Sequence, residues 1–202
     1  MGTTADPLRL VLASGSKARR RVLRDGGFAA EVIVSGIDES IDEPDTATAV
    51  QALARRKGEA VAAGCANALV IACDSMLDLA GRALAKPASA AQATEYWHRL
   101  SGQEAVLLTG HWVKDTRSGR TASAVGRTTV RFGTPSEQEL EAYVATGEPL
   151  TLAGAFSIEG YGAPFVDGIV GDPSNVLGLS LPLLRTLLAQ LGIAITDLWS
   201  PP

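Results

Sequence analysis

Residues 8–16 of the chain read LRLVLASGS, a short apolar run that ends in two serines and a glycine. This pattern predicts a buried strand that enters a turn. The basic segment at residues 17–25 follows directly and is typical of a helix, with Ser16 as its N-cap and Gly26 and Gly27 as its end. A strand that turns tightly into a helix is typical of α/β proteins, so this stretch predicts the fold class.

The rest of the chain repeats this alternation of strands and helices. Residues 68–73 are apolar throughout, which is typical of a central strand. Residues 106–114 and 122–132 predict a long hairpin. Further strands are predicted at 29–34 and in a hairpin at 76–84, and further helices at 46–63, 89–100, 136–145 and 181–191. We therefore expect an α/β fold with a mixed, curved central sheet flanked by helices.

The composition is that of a globular protein. The 202 residues are 46% hydrophobic and 20% charged, which is enough for one sizeable core. The net charge of −4 does not favour a nucleic acid polymer as a partner. No apolar run is long enough to span a membrane, and two cysteines do not make a disulfide framework. We therefore expect a cytoplasmic protein that binds no nucleic acid polymer and no membrane.

The turn after the first predicted strand has the residues of a phosphate site. A helix N-terminus offers unpaired N–H groups and the positive end of the helix dipole. Ser14 and Ser16 add hydroxyl groups, and Gly15 permits close approach of a ligand to the backbone. Lys17 and Arg19 add positive charge. A capped helix with solvated basic residues fits the same turn, and the spacing is not that of a P-loop.

Two acidic residues follow predicted strands. Glu39 comes after the strand at residues 29–34, and Asp74 comes directly after the apolar run at residues 68–73. Open α/β folds bind ligands at strand ends, and carboxylate oxygens are ligands that Mg²⁺ prefers, with waters and substrate phosphates in its other positions. The pair predicts a metal site, and a turn or N-cap role for Asp74 stays open.

Seven segments, taken in order along the chain, form one pattern. They are residues 12–16 (LASGS) with Arg19, 36–39 (GIDE), 53–57 (LARRK), 72–75 (ACDS), 86–87 (KP), 153–162 (AGAFSIEGYG) and 171–179 (GDPSNVLGL). Their order and spacing resemble the Maf-like nucleoside triphosphate pyrophosphatases, relatives of the inosine-triphosphate pyrophosphatase superfamily. The resemblance runs from about Leu10 to Leu191. Each segment alone is a weak signal.

The resemblance implies a single domain over residues 1–202. Its two lobes, with a cleft between them, would be residues 8–103 plus the helix at 181–192, and residues 104–180. It also implies hydrolysis of nucleoside triphosphates to the monophosphate and pyrophosphate with Mg²⁺ or Mn²⁺, to clear non-standard or modified nucleotides. A homodimer is compatible with it.

The resemblance also implies roles for individual residues. Asp74, Glu39 and Lys86 would be catalytic, and Glu39 and Asp74 would hold the metal. The substrate would be bound by Ser14, Ser16, Arg19, Lys57, Lys86 and Glu159.

The chain departs from the family's pattern at several positions, and these leave the preferred base open. Glu159 stands where the pyrimidine-preferring branch has glutamine, and a carboxylate only accepts hydrogen bonds where an amide also donates them. The methylguanosine-triphosphate branch also tends to have glutamate there, but Ala18 stands where that branch often has tryptophan. The other departures are Lys17 for a proline, Ala85 for a glycine, residues 103–105 (QEA) where the family has a histidine, and Ser180 before Leu181 and Pro182.

A second class of function also stays open. A nucleotide-binding regulatory protein that acts in cell division with little turnover would need Arg19 and the lysines but not Asp74. A phosphatase of the D-x-D type is a weaker option, because Met76 stands where that motif has its second aspartate.

Overall fold

The computed structural model describes residues 8–200, which form one mixed sheet with helices on both of its faces. None of the helices in this range is long and apolar enough to cross a membrane. The strands are β1 (Arg9–Leu12), β2 (Glu31–Val32), β3 (Ala68–Leu79), β4 (Arg82–Leu84), β5 (Glu104–Asp115), β6 (Thr121–Phe132) and β7 (Val166–Val170). The helices are α1 (Lys17–Asp25), α2 (Thr46–Ala62), α3 (Ala90–Leu100), α4 (Glu137–Ala145), α5 (Pro173–Val176) and α6 (Leu181–Gln190).

The seven strands form a sheet in the order β2-β1-β3-β5-β6-β7, with β4 paired to β3. β1 runs parallel to β2 and to β3, and the remaining pairs are antiparallel. The predicted fold class, a mixed sheet flanked by helices, is confirmed. The prediction that residues 68–73 form an internal strand is confirmed as well, since β3 lies between β1 and β5.

The two faces of the sheet are covered by different helices. Side chains alternate along β3, so that Ile71 and Cys73 pack with α1 and α6 whereas Val70 and Ala72 lie on the opposite face. That opposite face is covered by α2, through Ala54, Val61 and Ala62. The alternation continues without a bulge beyond Cys73, because β5 pairs with β3 in continuous register. Asp74 therefore faces α2, and Ser75 faces α1.

A further apolar cluster is centred on Trp97 of α3. The Trp97 ring makes edge-to-face contacts with Phe132, Tyr143 and Phe165, and its Nε1 donates to the carbonyl of Ala155 at 2.8 Å. Helix α3 thus packs with elements from the second half of the chain. The lobe boundary at residue 103 stays a prediction, and the packing of α3 does not follow it.

Two strand predictions were wrong in extent. The strand expected to end at Cys73 continues through Asp74 to Leu79, because β5 offers a pairing partner along this whole length. Asp74 thus lies within a strand, opposite Gly110, and not after its end. The strand expected at residues 29–34 is reduced to Glu31–Val32, where β1 pairs with it.

Candidate active site

Lys57 lies at the centre of a charged cluster between α2 and β3. Its Nζ is 2.5 Å from Oδ1 of Asp74 and 2.9 Å from Oε2 of Glu39. The side chains of Lys57 and Asp74 are 9% and 10% exposed, whereas that of Glu39 is 62% exposed. A buried ammonium is costly unless it is paired, and here two carboxylates compensate it. The structure therefore brings together three of the residues that the sequence predicted.

Two glycines let α2 lie close enough to the sheet for this contact. Gly58 follows Lys57 in α2, and a Cβ there would overlap the ring of Trp112. Gly110 of β5 lies opposite Asp74, and a Cβ there would overlap the backbone carbonyl of Val50 in α2. Larger residues would hold the helix away from the strands. The close packing thus depends on residues that carry no functional group.

A short turn shapes the segment that presents Glu39. Oδ1 of Asp38 accepts from the backbone N–H of Ser40 at 2.9 Å and from its hydroxyl at 2.8 Å. The bond from the backbone N–H, and then that from the hydroxyl, lower the pKa of Asp38 below its ordinary value. Such a turn is local and needs no partner from elsewhere in the chain. It sets the backbone around Glu39 but does not attach it to the sheet.

The donor set of the cluster fits a divalent cation that prefers oxygen. Oδ2 of Asp74 makes no hydrogen bond within residues 8–200, and Glu39 is open to solvent. No group of three or more His, Cys, Asp or Glu residues in that part of the chain could enclose a metal ion. Two carboxylates with free positions left for water and phosphate suit Mg²⁺ or Mn²⁺ better than a metal that needs a full set of protein ligands.

The turn that follows β1 is tied to β3 through Arg19. Its guanidinium donates to the carbonyls of Cys73 and Gly178, both at 2.8 Å, and to the hydroxyls of Ser14 at 3.1 Å and Ser75 at 3.0 Å. Four of its five N–H groups are thus used within the protein. The phosphate contact predicted for Arg19 stays a prediction, and the structure gives the side chain a strong internal role.

The two predicted serines have local roles in the same turn. Ser16 is the N-cap of α1, and its hydroxyl accepts from the backbone N–H of Arg19 at 3.4 Å. Ser14 is buried, and its hydroxyl accepts from the N–H of Ser16 at 3.3 Å. These bonds form the turn that was expected to bind phosphate, and they leave the N–H groups of Lys17 and Ala18 without an acceptor within residues 8–200.

A chain of hydrogen bonds continues from Arg19 into the core, and sequence reasoning missed it. Ser75 lies 2.9 Å from the hydroxyl of Thr109, which donates to the carbonyl of Asn175 at 3.2 Å. His111 is two residues further along β5, and its Nδ1 lies 2.9 Å from the carbonyl oxygen of Thr109. The alternation of polar residues along one face of β5 was the one sequence signal for this network.

His111 is held in its neutral form. Its Nε2 accepts from the backbone N–H of Ser180 at 2.8 Å, so the ring proton lies on Nδ1, toward Thr109. Burial, which disfavours the charged ring, lowers the pKa of His111 to about 4. The histidine therefore links β5 to the beginning of α6 and is no candidate for a metal ligand.

Lys86 and Glu159, the remaining predicted site residues, are not bonded to the cluster. Lys86 is exposed and makes no ion pair within residues 8–200. Glu159 forms an ion pair with Arg21 of α1, across 138 positions in sequence. Both side chains of that pair are 43% exposed, so the contact is weak and open to competition by a ligand.

Fold and cluster together define the class, a mixed α/β protein with a buried lysine between two carboxylates. Residues 9–191 match the model of the Maf-like protein family, and the chain belongs to that family. It is 56% identical to the nucleoside triphosphate pyrophosphatase of Streptomyces coelicolor and 53% identical to that of Streptomyces avermitilis, in each case over 96% of this chain and 95% of the relative.

Among solved structures, the Staphylococcus aureus Ham1 protein aligns with 62% of this chain and 72% of its own. The TM-score is 0.41 and the identity 21%.

Proposed function

We propose that this protein hydrolyses nucleoside triphosphates to the monophosphate and pyrophosphate, with Mg²⁺ or Mn²⁺ as cofactor. The observation that carries the proposal is the contact of the buried Lys57 with both the buried Asp74 and the exposed Glu39. Close relatives over nearly the whole chain carry the name nucleoside triphosphate pyrophosphatase, which supports the same activity here. The cluster supplies what this reaction needs, namely acidic groups and a positive charge in one place.

The negative charge of the substrate determines which charged groups the site must provide. A triphosphate carries several negative charges, and attack by water at the α-phosphorus increases the charge on its oxygens. Lys57 and Lys86, with the unpaired N–H groups at the beginning of α1, are the donors proposed to bind the phosphates. Glu39 and Asp74 would hold the cation, which would neutralise phosphate charge and acidify a bound water.

Asp74 is the proposed general base. Its Oδ1 accepts from Lys57, which fixes the carboxylate, and its Oδ2, which has no hydrogen-bond donor within residues 8–200, would contact the cation through the water whose proton it accepts. The oxygen of the attacking water bonds to the α-phosphorus, and the proton of that water passes to Asp74. The bond between the α-phosphorus and the bridging oxygen breaks, and pyrophosphate leaves with its electron pair. The preferred base stays open, and Glu159 is the residue proposed to contact it.

We also propose a reducing, cytoplasmic location. Cys65 and Cys73 are free thiols, and burial raises the pKa of Cys73 to about 12, which keeps this thiol protonated and unreactive. Cys73 is fully buried in β3.

The decisive experiment is product analysis across a panel of common and modified nucleoside triphosphates. The purified protein with Mg²⁺ or Mn²⁺ should release monophosphate and pyrophosphate in equal amounts, as seen by anion-exchange chromatography. Release of diphosphate with orthophosphate would refute the assignment. The same panel identifies the preferred base, and chelation of the metal should abolish turnover if the cofactor is as proposed.

A further inference from the structure

We infer that Arg56 is a positioning residue for Glu39, an inference that rests on the proposed function. Arg56 precedes Lys57 in α2. Its guanidinium donates from Nη1 to the carbonyl of Ser40 at 2.9 Å and from Nη2 to the carbonyl of Asp38 at 2.5 Å. These carbonyls belong to the two residues that flank Glu39. One planar side chain therefore holds the main chain on both sides of the carboxylate.

The segment around Glu39 needs such an anchor. Residues 33–45 contain no helix or strand, and Asp38, Glu39 and Ser40 are all exposed. The turn made by Asp38 and Ser40 is internal to the segment and does not attach it to α2. Hydrogen bonds from a charged donor are stronger than those between neutral groups, and two of them from one rigid fork also set an orientation.

The ion pair of Glu39 cannot take over this task. Its carboxylate contacts Lys57, which is shared with Asp74 and is also a proposed phosphate ligand. When Lys57 turns to a phosphate, or when a cation draws the Glu39 carboxylate, this ion pair is lost. The bonds from Arg56 go to the main chain, so they persist whatever the carboxylate binds. They would keep Glu39 beside Asp74 throughout the reaction.

The neighbouring arginine provides a matched control. Arg55 precedes Arg56 in α2 and is likewise exposed, but its Nε donates to Glu59 one turn along the same helix, at 2.8 Å. No hydrogen bond or ion pair joins Arg55 to the Glu39 segment within residues 8–200. Removing either arginine changes the net charge equally, so a difference between the two variants reports the contacts and not the charge.

The test compares Arg56→Ala, Arg55→Ala and Arg56→Lys with the wild-type chain. Hydrogen–deuterium exchange of the backbone around residues 38–40, without metal or nucleotide, reports how firmly the segment is held. Free Mn²⁺ measured by electron paramagnetic resonance reports metal binding, and steady-state rates report the Mn²⁺ requirement, kcat and KM.

In Arg56→Ala we expect backbone exchange around residues 38–40 to accelerate about ten-fold. The affinity for Mn²⁺ should fall about ten-fold, and the Mn²⁺ concentration required for turnover should rise by the same factor. Ten-fold is the lower end of the effect of residues that support a metal ligand. The value of kcat should fall more than KM changes, and Arg56→Lys should recover part of the loss. Arg55→Ala should behave as wild type. Thermal melting should differ little among the four proteins, because both arginines are exposed.

Wild-type exchange together with a wild-type Mn²⁺ requirement in Arg56→Ala would overturn the inference. So would equal effects in Arg55→Ala. If Arg56→Ala does not fold, Arg56→Met, which keeps an unbranched apolar stem but has no donor, is measured in its place and decides on the same criteria. If the wild-type protein forms no pyrophosphate, the proposed function fails, and the exchange data still decide whether Arg56 holds the segment.

Discussion

The ammonium of Lys57 and the carboxylate of Asp74 form an ion pair between α2 and β3, with Nζ 2.5 Å from Oδ1. Both side chains are almost completely shielded from water. Removing one partner of such a pair is far more damaging than removing both, because the remaining charge stays buried without compensation. The pair therefore couples the stability of the fold to the geometry of the proposed site.

The first prediction separates an enzyme from a binding protein. Asp74→Asn keeps the shape and an acceptor for Lys57 but removes the charge and the basic oxygen. Turnover should fall at least about a hundred-fold, the scale of one general-base contribution. Affinity for a non-hydrolysable nucleotide, measured by calorimetric titration, should persist. A variant with an unchanged rate would refute the catalytic role and favour the nucleotide-binding regulatory protein.

The second prediction concerns stability. Lys57→Met removes the ammonium at similar volume and leaves Asp74 buried and unpaired, so unfolding in urea should show a loss of roughly 3 kcal/mol. The double variant Lys57→Met with Asp74→Asn should recover part of that loss, since no net charge is then buried. Additive effects in this double-mutant cycle would show that the two groups do not interact as the structure indicates.

The third prediction divides the basic residues of α1 by role. Arg19→Ala leaves the carbonyls of Cys73 and Gly178 without their donor, so stability should fall by roughly 1–3 kcal/mol and kcat/KM by about ten- to a hundred-fold. Arg24→Ala is the control, because Arg24 pairs with its neighbour Asp25 at the surface. Equal behaviour of the two variants would contradict this division. Lost turnover with unchanged stability would assign Arg19 to the phosphates alone.

The fourth prediction is a pH dependence. The folded protein keeps His111 neutral with a pKa of about 4, while the unfolded chain takes up the proton near the ordinary value of 6.5. The unfolded state thus binds more protons between these values. Stability from His111 is fully present above pH 6.5 and is lost as the pH falls toward 4, by roughly 3 kcal/mol.

Urea unfolding at several pH values measures this loss. The variant His111→Gln should show a smaller decrease over the same interval. The variant His98→Gln serves as the control, because His98 is exposed and pairs with Glu137. A decrease of equal size in His111→Gln would remove His111 as its source.

Local features of the fold could be predicted because their causes lie within a few residues. Ser16 accepts from the N–H of Arg19 three residues on, and Ser136 forms a capping box with Glu139, also three residues on. The hairpin of β5 and β6 follows from two adjacent strand patterns and the turn between them. These local patterns predict the same caps and the same hairpin wherever the apolar face of the helix or strand is buried.

The extents of the strands could not be predicted in the same way. β3 passes through Asp74 because Gly110, 36 positions later, lies opposite it in β5. When the sequence is considered alone, a charged residue that follows an apolar run indicates the end of a strand. It is tolerated here because Lys57 of α2 compensates it, and that compensation depends on tertiary contact.

By itself, the sequence determined the fold class, the helix caps and the residue types of a site for a polyanion, since periodicity and capping act over short distances. Only the tertiary structure decided which of these residues meet. In the fold, Lys57 contacts both Glu39 and Asp74. Four of the five N–H groups of Arg19 donate to other groups of the protein, and Glu159 pairs with Arg21. Contacts between residues that are distant in sequence depend on how the helices pack on the sheet, and no local pattern records that packing.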